Sequence, residues 1–360
     1  MKKIFVTKSY LPPQEEYTSY LNGIWDRHQL TNQGPLSVEL EEQLKSYLGL
    51  EHLSYASNGT VVLQLALQAL NITGEVITTP FSYCATSHVV VWQHATPVFA
   101  DIRYDDLSID PDCIEALITP NTQAILATHV YGIPCQVERI ETIAKKHGLY
   151  VIYDAAHAFG VRYKGKSLLS YGDFATCSFH ATKVFHTVEG GLITSPNADL
   201  AAKVRLYRSF GHVHDDYFDI GINAKNSEFH SAMGLCILPH LSEIINGRRR
   251  VTQRYDSLIN WSEKIRKPII DEAVERNYAY YPIFFNTQTT LLNVREALMA
   301  QEIYPRRYFY PSLNTLPFLH ANQACPVSEA MALTALCLPL YPDLEDDNIV
   351  RISTIINENL

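Results

Sequence analysis

The stretch SFHATKVFHTVEGG, Ser178 to Gly191, sets one lysine, Lys183, between an alternating apolar strand and a glycine turn. An amine on a flexible stem becomes a nucleophile towards aldehydes when its surroundings lower its pKa, and a Schiff base to pyridoxal phosphate is the commonest use of such a group. Most lysines are solvated surface charges, so the reading depends on the company Lys183 keeps. Asp154 ends the run YVIYD, and ligands of open α/β sheets bind beyond the carboxyl ends of strands. A carboxylate there would keep a pyridine nitrogen protonated, so that the ring can accept electrons. His157 either orients that carboxylate, touches the ring, or is a satisfied, partly buried histidine. Tyr83, after another strand end, either stacks on a flat ring or packs in the core. Ser178 either gives its hydroxyl to a phosphate or is merely solvated. Ser57, Asn58, Gly59 and Thr60 precede the helical run VVLQLALQAL. They form an anion cradle at a helix amino terminus or a simple N-cap.

The elements that must position these residues alternate along the chain. A helix carrying Leu40, Leu44 and Leu48 on one face gives way to the buried helix VVLQLALQAL and the strand EVITTP. TPVFADI reads as a strand, DPDCIEALI as a helix capped by Asp110 with Pro111 at its first position, and QAILATHV as a strand. VERIETIAKKH is a helix stopped by Gly148, and the near-continuous apolar run YVIYD suits a strand covered on both faces. The pattern predicts an α/β fold, a doubly wound domain with a mostly parallel sheet. Phe174 to Phe179 and GGLITS are further strands, ADLAAKVRLYRSF a helix, and the polar stretch GHVHDDYFDIGINAKNSEF a loop. The helical segment LSEIINGRRRVTQRYDSLI then leaves a large domain, residues 1–245, for a smaller α+β C-terminal domain, residues 246–360, with the strand YAYYPIFF.

At 360 residues and 47% hydrophobic content the chain can bury a large core. A net charge of −9 without a basic block argues against nucleic acid and anionic membranes, and points to small-molecule partners. The opening MKKIFVTKSYLPPQ has too short an apolar run for a signal peptide and no later stretch could span a bilayer, so the expectation is a cytoplasmic protein. Seven scattered cysteines without a CxxC pair make neither a disulfide framework nor a zinc site, and no metal is expected. Gly160 to Ser167, GVRYKGKS, matches the phosphate-loop pattern, yet LLSYGDFATCSF returns to a strand where a helix would be needed. A hairpin with a glycine turn is the reading adopted. No GxGxxG dinucleotide fingerprint occurs.

SNGT, TTPFSY, DAAH, SFHATK with EGG, and GINAKNSEF, in that order and over nearly the whole chain, resemble the StrS/DegT family of pyridoxal-phosphate nucleotide-sugar aminotransferases. The early LTNQGPLSVELEEQL is similar to that family's opening, where a TxxGP turn precedes a helix. The resemblance implies fold type I and a homodimer with active sites at the subunit interface. Lys183 would carry the Schiff base and shuttle protons, Asp154 would pair with the pyridine nitrogen, Tyr83 would stack on the ring and His157 would contact the cofactor beside Asp154. Gly59, Thr60 and Ser178 would bind the phosphate, and Asn223 would reach the phosphate of the neighbouring subunit. Asn226 stands where relatives commonly have an apolar residue. Lysine rather than histidine at position 183 favours transamination over dehydration. The opening KIFVTKSYLPPQEEY looks most like members that transfer the amino group of L-glutamate to C4 of dTDP-4-keto-6-deoxyglucose, giving a dTDP-sugar precursor for surface polysaccharide such as O-antigen. A 3-keto substrate, a dehydratase and a regulator on the same fold stay open as alternatives. In YPRRYFYP, Arg307, Tyr308 and Tyr310 are candidate sugar contacts, or a strand packing its tyrosines.

Overall fold

In the computed structural model, which describes residues 3–360, the apolar runs lie side by side in one seven-stranded sheet. Its strands are β1 Leu53–Ala56, β2 Glu75–Thr78, β3 Thr96–Phe99, β4 Thr122–Thr128, β5 Tyr150–Asp154, β6 Phe174–Ser178 and β7 Gly191–Thr194. Their spatial order is β1-β7-β6-β5-β4-β2-β3. From β6 to β3 every pairing is parallel, whereas β7 runs antiparallel to both of its neighbours. The helices of this unit are α1 Gln14–Arg27, α2 Pro35–Leu48, α3 Gly59–Ala69, α4 Ala85–Trp92, α5 Pro111–Ala116, α6 Val137–His147, α7 Ala198–Tyr207, α8 Glu228–Ile237 and α9 Leu241–Leu258.

The two-residue period of the strands divides their side chains between two cores. Val151 and Tyr153 of β5 face the layer of α2, α6 and α8, where Leu40, Leu44, Leu48 and Ile140 are buried. Ile152 faces the opposite layer, with Leu63 and Leu67 of α3 and Val204 of α7. Burial of each such leucine stabilises the fold by about 2 kcal/mol relative to leaving it exposed. The doubly wound, mostly parallel reading is therefore what the chain adopts, with β7 as the reversed strand.

GVRYKGKS folds as the expected hairpin: Arg162–Tyr163 pairs antiparallel with Lys166–Ser167. Lys164 (φ 50°) and Gly165 (φ 75°) make its turn, and a short 3₁₀ turn rather than an α-helix follows. The polar stretch after α7 is irregular apart from a small hairpin of His212–Val213 with Asp216–Tyr217, and it exposes Tyr217, Phe218 and Ile220.

Helix α9 leaves one core for another. Leu241 and Ile244 pack under the large sheet, whereas Val251 and Tyr255 pack in a separate cluster. That cluster is built on the antiparallel strands β8 Ile265–Arg266, β9 Pro282–Phe285 and β10 Ala335–Cys337 with α10 Gln288–Ala300 and α12 Asp346–Glu358, while α11 Pro326–Thr334 packs Met331 and Ala332 into a neighbouring cluster. The two units interleave. Near the amino terminus, Ile4–Phe5 pairs in parallel with Ile303–Tyr304, and Ile4 joins the small core. Among the described residues no helix is long and apolar enough to cross a membrane.

Candidate active site

Strands β4, β5 and β6 end at one edge of the sheet, with Thr128, Asp154 and Ser178 as their last residues, and α3 begins at the same edge. A cavity of about 280 Å³ opens there. Gly59, Thr60, Tyr83, Asp154, His157, Ser178 and Lys183 line it together, as do Ser82, His180, Glu189, Tyr280, Arg306 and Tyr308.

Lys183 lies on the excursion between β6 and β7. Its amine donates to the Tyr280 hydroxyl at 3.4 Å. Burial pushes its pKa below that of an ordinary lysine, and the Asp154 carboxylate opposes part of that fall. An amine so placed spends more of its time neutral, the form that attacks a carbonyl carbon. Asp154 is nearly inaccessible. Its Oδ2 accepts from the Thr86 hydroxyl at 2.7 Å and its Oδ1 from the Ala156 N–H at 3.1 Å. Burial raises its pKa, and these two donors, with the charge of Lys183, pull it back down.

His157 is held neutral. Burial drives its pKa well below the usual range and the Lys183 charge adds to the effect. Its Nδ1 accepts from the Tyr131 N–H at 3.1 Å, which assigns the ring proton to Nε2. The ring stacks on Phe309 at 5.6 Å and meets the Tyr280 ring at 4.8 Å. Orientation of the carboxylate by His157 finds no support in these contacts.

At the start of α3 the cap and the cradle coexist. Asn58 accepts from the Val61 N–H at 2.9 Å, a standard N-cap. The first-turn amides of Gly59 and Thr60 have no intrahelical acceptor, and both residues line the cavity with Ser178. A Cβ on Gly59 would lie 2.8 Å from the Ser178 Cβ and 3.1 Å from its Oγ, so glycine keeps this corner open. Backbone amides, a helix amino terminus and a hydroxyl around an unfilled corner fit a phosphate. An amine facing a strand-end carboxylate fits the aldehyde and ring nitrogen of a pyridoxal.

The remaining expected residues are placed less deeply in the cavity or outside it. Tyr83 stands at the rim, 56% exposed. Asn223 bridges Ser209 in the polar loop, is exposed and does not line this cavity. Arg307 and Tyr310 are outside it too: the Arg307 guanidinium covers the Tyr310 ring at 3.6 Å and donates to the Leu333 carbonyl. Arg306 exchanges two backbone hydrogen bonds with Cys337, and alternation along the extended segment then sends Arg306 and Tyr308 into the cavity and Arg307 away from it. Asn226, the departure noted above, is buried. Its amide donates to the Tyr55 hydroxyl, the Ala56 carbonyl and the Glu189 carbonyl, and its oxygen accepts from the Ser227 N–H. It is a satisfied polar knot.

Sequence reasoning missed Thr86, Tyr280 and Arg306. Thr86 stands three residues past the segment TTPFSY, four after Ser82, but nothing local marks it as a carboxylate partner. A larger cleft of about 460 Å³ at Arg103, Asp106 and Arg139 carries charges already paired, Arg103 with Asp106 at 3.0 Å and Arg139 with Asp112. Among the described residues no cluster of His, Cys, Asp or Glu could hold a metal ion.

A doubly wound sheet that gathers a depressed-pKa amine, a buried carboxylate and a phosphate-sized corner at one edge defines a group-transfer enzyme of carbonyl substrates. The chain belongs to the DegT/DnrJ/EryC1/StrS aminotransferase family, whose pattern matches residues 13–357. It is similar to dTDP-4-amino-4,6-dideoxy-D-glucose transaminases of Shigella dysenteriae (41% identical over 363 residues, 99% of each chain) and Escherichia coli (39% over 364 residues, 99% of this chain and 98% of that one). Among solved structures it resembles DesI crystallised with its TDP-sugar product, at 33% identity and a TM-score of 0.94 over 99% of this chain and 93% of that one.

Proposed function

We propose that the protein is a pyridoxal-phosphate-dependent transaminase that moves the amino group of L-glutamate onto C4 of dTDP-4-keto-6-deoxyglucose, giving dTDP-4-amino-4,6-dideoxyglucose. The observation that carries the reading is the buried Lys183 amine sharing one cavity with Asp154. Pyridoxal phosphate, when bound, supplies the electron sink that lets a proton leave the carbon bearing the amine. Every other task falls to side chains. Lys183 would hold the cofactor covalently, and its amine, when free, would carry the proton between carbon atoms. Asp154 would answer the ring nitrogen, and the neutral His157 would offer its Nε2–H. Gly59, Thr60 and Ser178 would hold the phosphate, and Tyr83 would contact the ring from the rim.

Asn223 is exposed and does not line its own cavity, which suits a role at the phosphate of a second copy and hence a homodimer. Arg306, His180, Glu189 and Tyr308 form the mouth through which a nucleotide sugar would enter, so the sugar contacts shift from Arg307 and Tyr310 to Arg306 and Tyr308. A biosynthetic enzyme using glutamate and a nucleotide sugar would work in the cytoplasm, upstream of surface polysaccharide assembly.

The test is spectroscopic and then chemical. Cofactor-loaded protein given glutamate loses its visible band as the cofactor takes up the amine. Addition of dTDP-4-keto-6-deoxyglucose restores the band and yields a 4-amino sugar. Turnover of the 3-keto isomer instead overturns the assigned position, and an unchanged band with glutamate overturns transamination.

A further inference from the structure

The hydroxyl that donates to Asp154 ends a chain of three. The Thr86 Oγ1 that donates to it at 2.7 Å lies 2.8 Å from Ser82 Oγ, which lies 3.1 Å from Thr128 Oγ1. The direction of each bond follows from counting hydrogens, since a hydroxyl has one to give. Thr86 spends its hydrogen on the carboxylate, so it accepts from Ser82. Ser82 has then spent its own, so it accepts from Thr128. All three dipoles are aligned towards Asp154, and aligned hydroxyls polarise and strengthen one another. The whole chain is sealed, because Ser82, Thr86 and Thr128 are each buried to within 2% exposure.

We propose that Thr128, Ser82 and Thr86 form a donor relay that keeps the Asp154 carboxylate ionised and aimed into the cavity, with Thr86 the positioning residue for the partner of the ring nitrogen. The proposal rests on the cofactor reading given above. A carboxylate cut off from water reverts to its neutral acid unless donors replace its hydration, and a neutral acid could no longer answer a protonated ring nitrogen. Thr86 lies in the first turn of α4, so its hydroxyl also brings the positive end of that helix to bear on the same oxygen. The relay's hydroxyls bond one another and Asp154, not the lysine or the phosphate corner, so its effect should fall mainly on the ring-nitrogen side.

Apoprotein is titrated with pyridoxal phosphate across a pH series, following the visible band and the quenching of tryptophan fluorescence. Thr86→Val, which keeps the shape and loses the hydroxyl, should weaken cofactor affinity at least about tenfold, as loss of a hydrogen bond to a charged group predicts. It should also move the acid limb of the affinity profile towards neutral pH, while Thr86→Ser restores both. Wild-type affinity and an unmoved limb in Thr86→Val overturn the proposal alone, as does a Thr86→Ser variant that behaves like Thr86→Val. A wild-type protein that takes up no pyridoxal phosphate overturns the cofactor reading and the proposal with it. Should Thr86→Val not fold, Ser82→Ala, one bond further out, should show a smaller shift in the same direction, and no shift there overturns the relay.

Discussion

The hydroxyl of Tyr280 accepts from the Lys183 amine at 3.4 Å across 97 residues of sequence. Lys183 belongs to the large sheet and Tyr280 to the segment entering β9, so the smaller unit supplies a wall of the cavity and steadies the amine. Burial holds the Tyr280 phenol well above its usual pKa, which keeps it protonated and able to accept and donate at once. Tyr280→Phe should lower kcat about tenfold, the worth of one hydrogen bond of about 1.4 kcal/mol, with little change in the KM for glutamate. Steady-state kinetics of the two half-reactions will show it.

Lys183→Ala would remove the proposed covalent anchor and proton carrier together. Turnover should fall by a factor of about 10² to 10⁴ or more, while the thermal unfolding midpoint stays within a few degrees of wild type. Exogenous small amines should restore part of the rate, since they return a base without the tether.

Gly59→Ala tests the phosphate corner. The added methyl meets Ser178 at 2.8 Å, and a phosphate could no longer approach the first-turn amides. Cofactor retention on dialysis should drop about tenfold or more, equivalent to about 1.4 kcal/mol of lost binding. Helix propensity favours alanine by up to about 1 kcal/mol, which offsets the crowding, so unfolding of the apoprotein should change little.

Acid should unfold the protein through its buried histidines. Burial lowers the His129 pKa from 6.5 to about 3, and His157 is also held well below 6.5. The unfolded chain takes up protons below about pH 6.5 that the folded chain refuses down to about pH 3, so stability is full above that window and falls as pH drops through it. Each histidine contributes a slope of up to about 1.4 kcal/mol per pH unit. Asp154, whose pKa is raised in the fold, takes up its proton earlier than the unfolded chain and works against this slope. Urea midpoints measured across the window check the sum. His129→Phe keeps the stack on Tyr153 but orphans the Cys135 N–H, so it should remove about one proton from the slope and cost about 1 to 3 kcal/mol at neutral pH.

Strands β4, β5 and β6 were readable because both of their faces are covered, which writes an unbroken apolar run into the sequence. Asp154 and Ser178 were readable because they close such runs, and Lys183 because of its motif. Helix α1 was not, since only Ile24 in it is buried and an exposed helix needs no apolar stripe. Tyr280 and Thr86 act across long stretches of sequence, Thr86 on a carboxylate 68 residues away, and pairings set by tertiary folding leave no local period. Arg306 and Arg307 show how little separates right from wrong in an extended segment: a shift of one residue exchanges the cavity for the outside.

The reversal of β7 has its own consequence. Gly191 sits directly across from Ser178 in the sheet, so the lysine-bearing excursion departs and returns at a single rung of the ladder. A parallel connection would have required a long crossover and a freer tether. Here both feet of the arch are bolted to the same floor, so the release and recapture of a ligand proposed for the amine would need no refolding of the arch.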